Sequence, residues 1–200
     1  MISLPMADML LGTVRLDRRE SGRDFADREL TLVQMGALLF AAQGYRPNQE
    51  KRLVPSAGAS YPLEVTLAVG RVESLQPGLY RYVAHRHGLE VIEIRGDSLS
   101  KIAAATFEAP WVANAAAVLH ISAVFARTTE PYADQPPAGR AERYVWLEAG
   151  HAAQNAALAS AALRLATVFI GGFDDEAMAR AVQLPAAERS IGLMPVGFPA

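Results

Sequence analysis

The order of segments along this 200-residue chain predicts an α+β fold. Three observations carry that reading. Short alternating strand patterns cluster together instead of alternating regularly with helices. One long alanine-rich helical pattern interrupts them, and a strand, a helix and a last strand follow. The length suits one domain spanning 1–200, able to bury roughly 70% of the surface its unfolded chain exposes. At 51% apolar and 20% charged residues, the composition is globular.

The elements are justified in order. Residues 1–14 carry no periodic pattern and read as a flexible N-terminus. Residues 30–43 place Leu32, Val33, Met35, Leu38, Leu39 and Phe40 at helical spacing, with Thr31 to cap the helix and Gly44 to end it. Two prolines and a glycine prevent a regular element across Pro55-Ser56-Ala57-Gly58-Ala59-Ser60-Tyr61-Pro62. Residues 64–69 and 79–83 alternate as strands joined through Gln76-Pro77-Gly78, and 89–94 reads as a third strand. A short helix over 98–107 and a buried strand over 117–125 follow. The prolines and glycine within 128–140 predict a mobile loop of the kind that covers sites. Residues 141–165 form the longest helical pattern, apolar nearly all round, as expected of a helix buried in the domain or in a subunit interface. Residues 165–170 read as a strand ending in Gly171-Gly172, Asp174 caps a helix running to about Val182, and 194–197 is a last strand.

Composition excludes several functions. With no cysteine, the chain has no disulfide scaffold, thiolate zinc site or cysteine nucleophile. A net charge of −2 without a basic run carries no nucleic-acid footprint. Lys51 and Lys101 are the only lysines, so basic charge is almost all arginine, whose fork suits phosphate and carboxylate. The most apolar stretch, 145–163, contains Glu148, His151, Gln154 and Asn155, which argues against a membrane span. The N-terminal twelve residues lack a basic region and contain Asp8, so a secretory leader is not expected and the expected location is cytoplasmic.

Several motifs fail. Ser98-Leu99-Ser100-Lys101 has no companion motif and reads as a helix cap. Glu148 and His151 have the i, i+3 spacing of di-iron bundles, but no second pair exists; they read as a buried polar pair satisfied by hydrogen bonds, and no metal is expected. His85 and His87 read as solvent-side turn residues. Phosphate loops of the Walker type, Gly-x-Gly-x-x-Gly and Gly-x-Ser-x-Gly are all missing.

Four pieces combine. Arg18-Arg19-Glu20-Ser21-Gly22-Arg23 offers forked cations and a hydroxyl to a phosphate. The small residues of Pro55-Ser56-Ala57-Gly58 let backbone approach a flat ligand. Glu148-Ala149-Gly150-His151-Ala152-Ala153-Gln154-Asn155 lies on the long helix. Val168-Phe169-Ile170-Gly171-Gly172-Phe173-Asp174 brings backbone N–H groups near a helix start. In this order and spacing the pieces resemble the FMN-dependent nitroreductase superfamily, and within it the SagB-type dehydrogenases, relatives of the azoline oxidases of peptide natural-product pathways. Pro77-Gly78-Leu79-Tyr80-Arg81-Tyr82 and Pro195-Val196-Gly197-Phe198-Pro199 add to the likeness, which covers about 15–199.

The resemblance implies a three-layer sandwich, with a mainly antiparallel central sheet flanked by helices and a long buried dimer helix. It implies a homodimer with FMN at the subunit interface, NADH or NADPH as reductant, and hydride transfer through flavin N5 to or from a small organic or peptide-derived substrate. Carried over by position, Arg19 and Ser21 would meet the phosphate and Arg23 the N1–O2 edge of the ring. Pro55, Ser56, Ala57 and Gly58 would come from the partner subunit. Gln154 and Asn155 belong to the cofactor-binding set, and the backbone of Gly171 and Gly172 would face N5. Glu20 and Phe198 depart from the pattern, standing where relatives carry basic residues. Pro131-Tyr132 falls at the lysine–tyrosine pair of azoline oxidases. The lysine is gone, which leaves Tyr132 as the catalytic candidate; a tyrosine alone is a poor base at neutral pH, which argues against azoline oxidation. The departures motivate a second reading, a degenerate relative that serves as a binding or partner subunit.

Overall fold

The structure, a computed structural model, describes residues 1–5 and 16–200. One sheet contains β1 (Ile2–Ser3), β2 (Leu63–Val69), β3 (Gly78–Val83), β4 (Gly88–Ile94), β5 (Ala117–Ala123), β6 (Ala166–Thr167) and β7 (Arg189–Gly197). The strand order is β1-β4-β3-β2-β5-β7-β6, with every neighbouring pair antiparallel. The helices are α1 (Leu32–Gln43), α2 (Ser98–Ala105), α3 (Ala126–Thr129), α4 (Arg140–Ala162) and α5 (Asp175–Val182).

Alternation along the strands splits the core in two. Val65, Leu67 and Val69 of β2 and Leu119 and Ile121 of β5 join α1 and α4 on one face. Ala68, Leu79, Val118 and Leu193 turn to the other, against α2 and α5. Helices therefore cover both faces, and the α+β three-layer architecture stands. All seven residues of β5 are buried, as a strand at the middle of such a sheet requires.

Local chemistry sets the boundaries. The Thr31 side chain accepts from the Gln34 N–H at 3.1 Å, and Gln34 Oε1 accepts from the Thr31 N–H at 2.9 Å, a reciprocal cap on α1. Asp174 accepts from the Ala177 N–H at 2.7 Å and starts α5. Several elements differ from expectation at their ends. The strand read over 165–170 shrinks to Ala166–Thr167, because Leu165 closes the preceding helix and Ile170 pairs only as a bridge to Leu193. The final strand lengthens to Arg189–Gly197. Residues 128 and 129 of the expected mobile loop belong to α3, which Arg127 ties down through Glu64 at 2.6 Å and the Tyr61 carbonyl at 3.1 Å. Ile2–Ser3 pairs with β4 at the sheet edge, while 6–14 of the expected flexible N-terminus lie outside the described residues. His87 is not solvent-side: it is half-buried, shares a 2.9 Å hydrogen bond with the Tyr82 hydroxyl and packs on Phe40.

The long helix is not apolar on every side in its setting. Ala141, Val145, Ala149, Ala152, Ala156 and Ala159 face the core. The opposite stripe stays exposed, with Trp146 at 45% and Leu147 at 54%, followed by Gly150, His151 and Gln154.

One end of the second sheet face is polar. Arg81 forks onto Glu188 at 3.0 and 3.1 Å, and Ser122 donates to Glu188 at 2.6 Å. Fully buried His120 shares a 3.0 Å hydrogen bond with Ser190. Burial first, then the Arg81 charge, pushes its imidazole down to about 3, so it stays neutral.

Candidate functional site

The N-terminal segment reaches the site by lying against β6. The Gly22 N–H donates to the Thr167 carbonyl at 3.0 Å. A Cβ at Gly22 would stand 2.7 Å from the Ala166 Cβ, so only glycine permits this approach. Phe25 continues as a bridge to Pro199. The result is a cleft of about 630 Å³. Arg18, Glu20, Ser21, Arg23 and Asp24 line it from the N-terminal segment, and Ala157, Ala161 and Arg164 from the end of α4. The volume falls in the range of cofactor sites, roughly 300–1,000 Å³. Among the described residues no carboxylate is ion-paired with Arg18, Arg23 or Arg164. Unpaired guanidinium groups beside a serine hydroxyl fit a phosphate.

Of the N-terminal residues singled out in the sequence, Ser21 and Arg23 line this cleft. Arg19 is half-buried and does not line the cleft; its neighbour Arg18 does. Glu20 does line it, next to Asp24. Phe198 packs on the core with the Arg28 guanidinium 3.7 Å over its ring. The sequence reading includes Arg18 only as part of its arginine run, and Arg164 not at all. The signal for Arg18 was its place in the same arginine run; Arg164 was hidden in what read as helix.

A second pocket, of about 260 Å³, is lined by Pro55, Ser56, Ala57, Tyr144, Leu147, Glu148 and His151. Its loop is held by its own hydroxyls. Ser56 Oγ accepts from the Tyr61 N–H at 2.9 Å, and Ser60 Oγ donates to the Ala57 carbonyl at 2.8 Å. Gly58 adopts φ +56° directly under the Tyr132 hydroxyl, where a side chain has no room. Tyr132 in turn meets Tyr144 edge-on, ring centres 5.5 Å apart. The structure thus gathers Pro55, Ser56, Ala57, Gly58 and Tyr132 into one place.

Beneath that loop lies a buried polar nest. Arg52 donates to Gln43 Oε1 at 2.5 Å and to the Leu63 carbonyl at 2.8 Å, with Tyr45 and Tyr61 against its guanidinium. Glu148 is only 3% exposed, and its Oε1 has no hydrogen-bond partner among the described residues. Burial pushes the Glu148 carboxyl up to about 7, against the opposing pull of the Ser56 hydroxyl and the Arg52 charge. His151 lies outside, exposed. The expected satisfied Glu148–His151 pair does not form: both border the pocket, but His151 is exposed at its rim, no hydrogen bond joins the two, and Glu148 Oε1 stays unpartnered beneath.

The third group stands apart from both pockets. Gly171 and Gly172 lie exposed in an irregular stretch after β6, with the Gly172 carbonyl accepting from the Phe107 N–H at 3.1 Å. Phe107, 64% exposed, and Phe169, 42% exposed, flank it. Asp174 already caps α5, so the helix start is satisfied by its own chain and only the glycine backbone upstream stays open.

One face of α4 connects the two pockets. Tyr144, Leu147, Glu148 and His151 line the second, and Ala157 and Ala161 the first. At about 1.5 Å rise per residue their centres lie about 17 Å apart along the axis. Gln154, exposed, and Asn155, half-buried, sit between them. No residue lines both, so within one chain the residues singled out in the sequence fall into separate pockets.

No helix among the described residues is long and apolar enough to cross a membrane. Nor do any three His, Asp or Glu side chains among them cluster as a metal site requires.

Comparison with known proteins places this architecture. The nitroreductase family model matches residues 16–198. The putative nitroreductase MJ1384 of Methanocaldococcus jannaschii is 37% identical over 183 residues, covering 91% of this chain and 88% of its own. A putative nitroreductase structure from Anabaena variabilis superposes with a TM-score of 0.75 at 26% identity over 91% of this chain; the chain spans 37% of that longer protein. The Escherichia coli microcin synthetase McbBCD complex, bound to truncated pro-MccB17, contains the same fold, with a TM-score of 0.80 at 22% identity, covering 99% of this chain and 75% of that one. Members of the family are generally FMN-dependent, use NAD(P)H as reductant and are typically dimers. With its antiparallel sheet, its helices on both faces and a family match over nearly all of its length, this chain belongs to the nitroreductase family and is an oxidoreductase.

Proposed function

We propose that this protein is an FMN-dependent oxidoreductase of the SagB-type dehydrogenase kind, working as a homodimer on a small organic or peptide-derived substrate. The carrying observation is the cleft at the end of α4, where Arg18, Ser21 and Arg23 converge with no carboxylate among the described residues paired to their guanidinium groups. The separation of the half-sites supports the dimer. The Pro55–Gly58 pocket lies too far along α4 to serve the phosphate cleft of its own chain. A second copy, packed on the exposed stripe of Trp146, Leu147 and Gly150, brings it within reach. The fold shared with a synthetase complex holding a truncated pro-peptide supports the peptide-derived class of substrate.

Arg18, Ser21 and Arg23 bind the phosphate, and Arg23 extends toward the ring. Gly171 and Gly172 supply backbone donors without side-chain obstruction. Gln154 and Asn155 offer amides from the connecting face, and Pro55, Ser56, Ala57 and Gly58 close the site from the partner subunit. FMN supplies two-electron hydride chemistry when bound, with NADH or NADPH as the electron source. Tyr132, held over Gly58, is placed to keep a proton at the substrate.

The test is an absorbance spectrum before and after FMN addition and desalting, with mass by light scattering. A retained two-band flavin spectrum on a particle of twice 21.5 kDa is expected. A colourless protein after FMN addition refutes the proposal. Glu20 and Asp24 in the cleft favour one other reading, a family member that has lost the cofactor and acts as a partner subunit. That reading predicts no thermal shift with FMN.

A further inference from the structure

The end of α4 has a complete hydrogen-bonded closure. The Leu165 N–H donates to the Ser160 carbonyl at 2.9 Å and the Arg164 N–H to the Ala161 carbonyl at 3.2 Å. In this arrangement the residue between, here Arg164, must be left-handed, and glycine is its usual occupant. Arg164 adopts φ +57°. The chain thus holds a long cationic side chain at a position whose backbone disfavours any side chain. The same closure at the end of α5 holds Gln183 at φ +52°, so what distinguishes Arg164 is where its side chain lies.

That side chain lines the cleft with Arg18, Ser21 and Arg23, and no carboxylate among the described residues is ion-paired with it. The local charges show what it decides. Glu20 and Asp24 line the same cleft, and the C-terminal end of α4 adds a partial negative charge of about half a unit. Without Arg164, the guanidinium groups of Arg18 and Arg23 alone face the carboxylates of Glu20 and Asp24 and a negative helix end. Arg164 adds a third guanidinium against that charge.

We propose that Arg164 is a cofactor-binding residue, the third guanidinium of the phosphate site in this cleft. The inference rests on the FMN reading above and names a residue of the phosphate subsite. Its alternative is purely structural: a cation complementing the end of α4.

The experiment titrates the full-length protein, R164G and R164K with FMN and with riboflavin, which lacks the phosphate, by flavin fluorescence, and records the melting temperature of each without ligand. R164G should bind FMN about tenfold more weakly, from the loss of a charge-assisted contact, while riboflavin affinity changes less than about twofold. R164K should recover most of the FMN affinity. R164G without ligand should melt about 2 °C higher, because glycine relaxes the left-handed turn. Equal loss of both flavins, or of neither, overturns the assignment. Binding of riboflavin but not FMN by the unmodified protein also overturns it. If the unmodified protein binds no flavin, the cofactor reading fails, and the role of Arg164 with it.

Discussion

Replacing Glu148 by glutamine tests the buried nest under the Pro55–Gly58 loop. The carboxyl is raised from 4.5 to about 7 by burial, so the folded state holds its proton over a range in which the unfolded state releases it. The sign follows. The stabilisation is full below pH 4.5 and is lost as pH rises through about 7. The shift corresponds to roughly 3 kcal/mol at about 1.4 kcal/mol per unit. The glutamine side chain keeps the shape and an uncharged carbonyl, so E148Q and the unmodified protein should be equally stable at low pH. Above neutrality E148Q should be about 3 kcal/mol more stable. Urea unfolding followed by circular dichroism across this range, at one protein concentration, reads the difference directly; fixed concentration matters because the proposed dimer couples stability to mass action. His120 titrates equally in both proteins and cancels. A difference that stays flat with pH means that Glu148 titrates alike in both states. A difference of opposite slope means that the Arg52 attraction exceeds burial. Either result refutes the reasoning.

Other expectations follow from single contacts. G22A forces a methyl to 2.7 Å from the Ala166 Cβ and should cost about 1–3 kcal/mol in denaturation, with A166G restoring most of it in the double variant. G58A places a side chain at φ +56° under the Tyr132 hydroxyl; a loss of about 1–2 kcal/mol is expected, partly recovered in the G58A/Y132F pair. His120, held neutral down to about 3, should make the protein acid-labile, since its contribution is present above 6.5 and lost as pH falls toward 3. H120N, which cannot titrate, should flatten the acid limb by roughly 4–5 kcal/mol in pH-dependent unfolding.

What was legible in the sequence was whatever chemistry is local. Thr31 and Asp174 mark helix starts by side-chain hydrogen bonds of their own, and Gly44 follows the end of α1 where a Cβ would run into Phe40. Strands with one apolar face were visible for the same reason. The longer β7 is not legible because it opens on Arg189 and Ser190, one toward Phe125 and Glu142 and the other toward His120, so neither face starts with an apolar signal. The helix of 141–165 was drawn too long because Leu163, Arg164 and Leu165 continue the apolar spacing; the stop is made by a backbone turn that glycine usually announces and arginine conceals. For the site, Ser21, Arg23 and the Pro55–Gly58 stretch were legible as motifs. That Arg18 borders the cleft and Arg19 does not, and that Glu148 is buried while His151 is exposed, depend on which way a side chain faces after packing, and spacing alone does not settle that.

Because a single uninterrupted helix borders both pockets, its length sets their relative placement, and the proposed function makes that placement a fixed quantity. Inserting one residue between His151 and Ala157 would swing one half-site by about 100° around the axis relative to the other. Deleting one does the same in reverse. The loops at either end can gain or lose residues without that penalty. Among descendants of this chain, insertions and deletions should therefore accumulate in the turns before Arg140 and be purged from the stretch of helix that separates the two pockets. A library of single-residue insertions would display that contrast as a sharp dip in tolerance along α4.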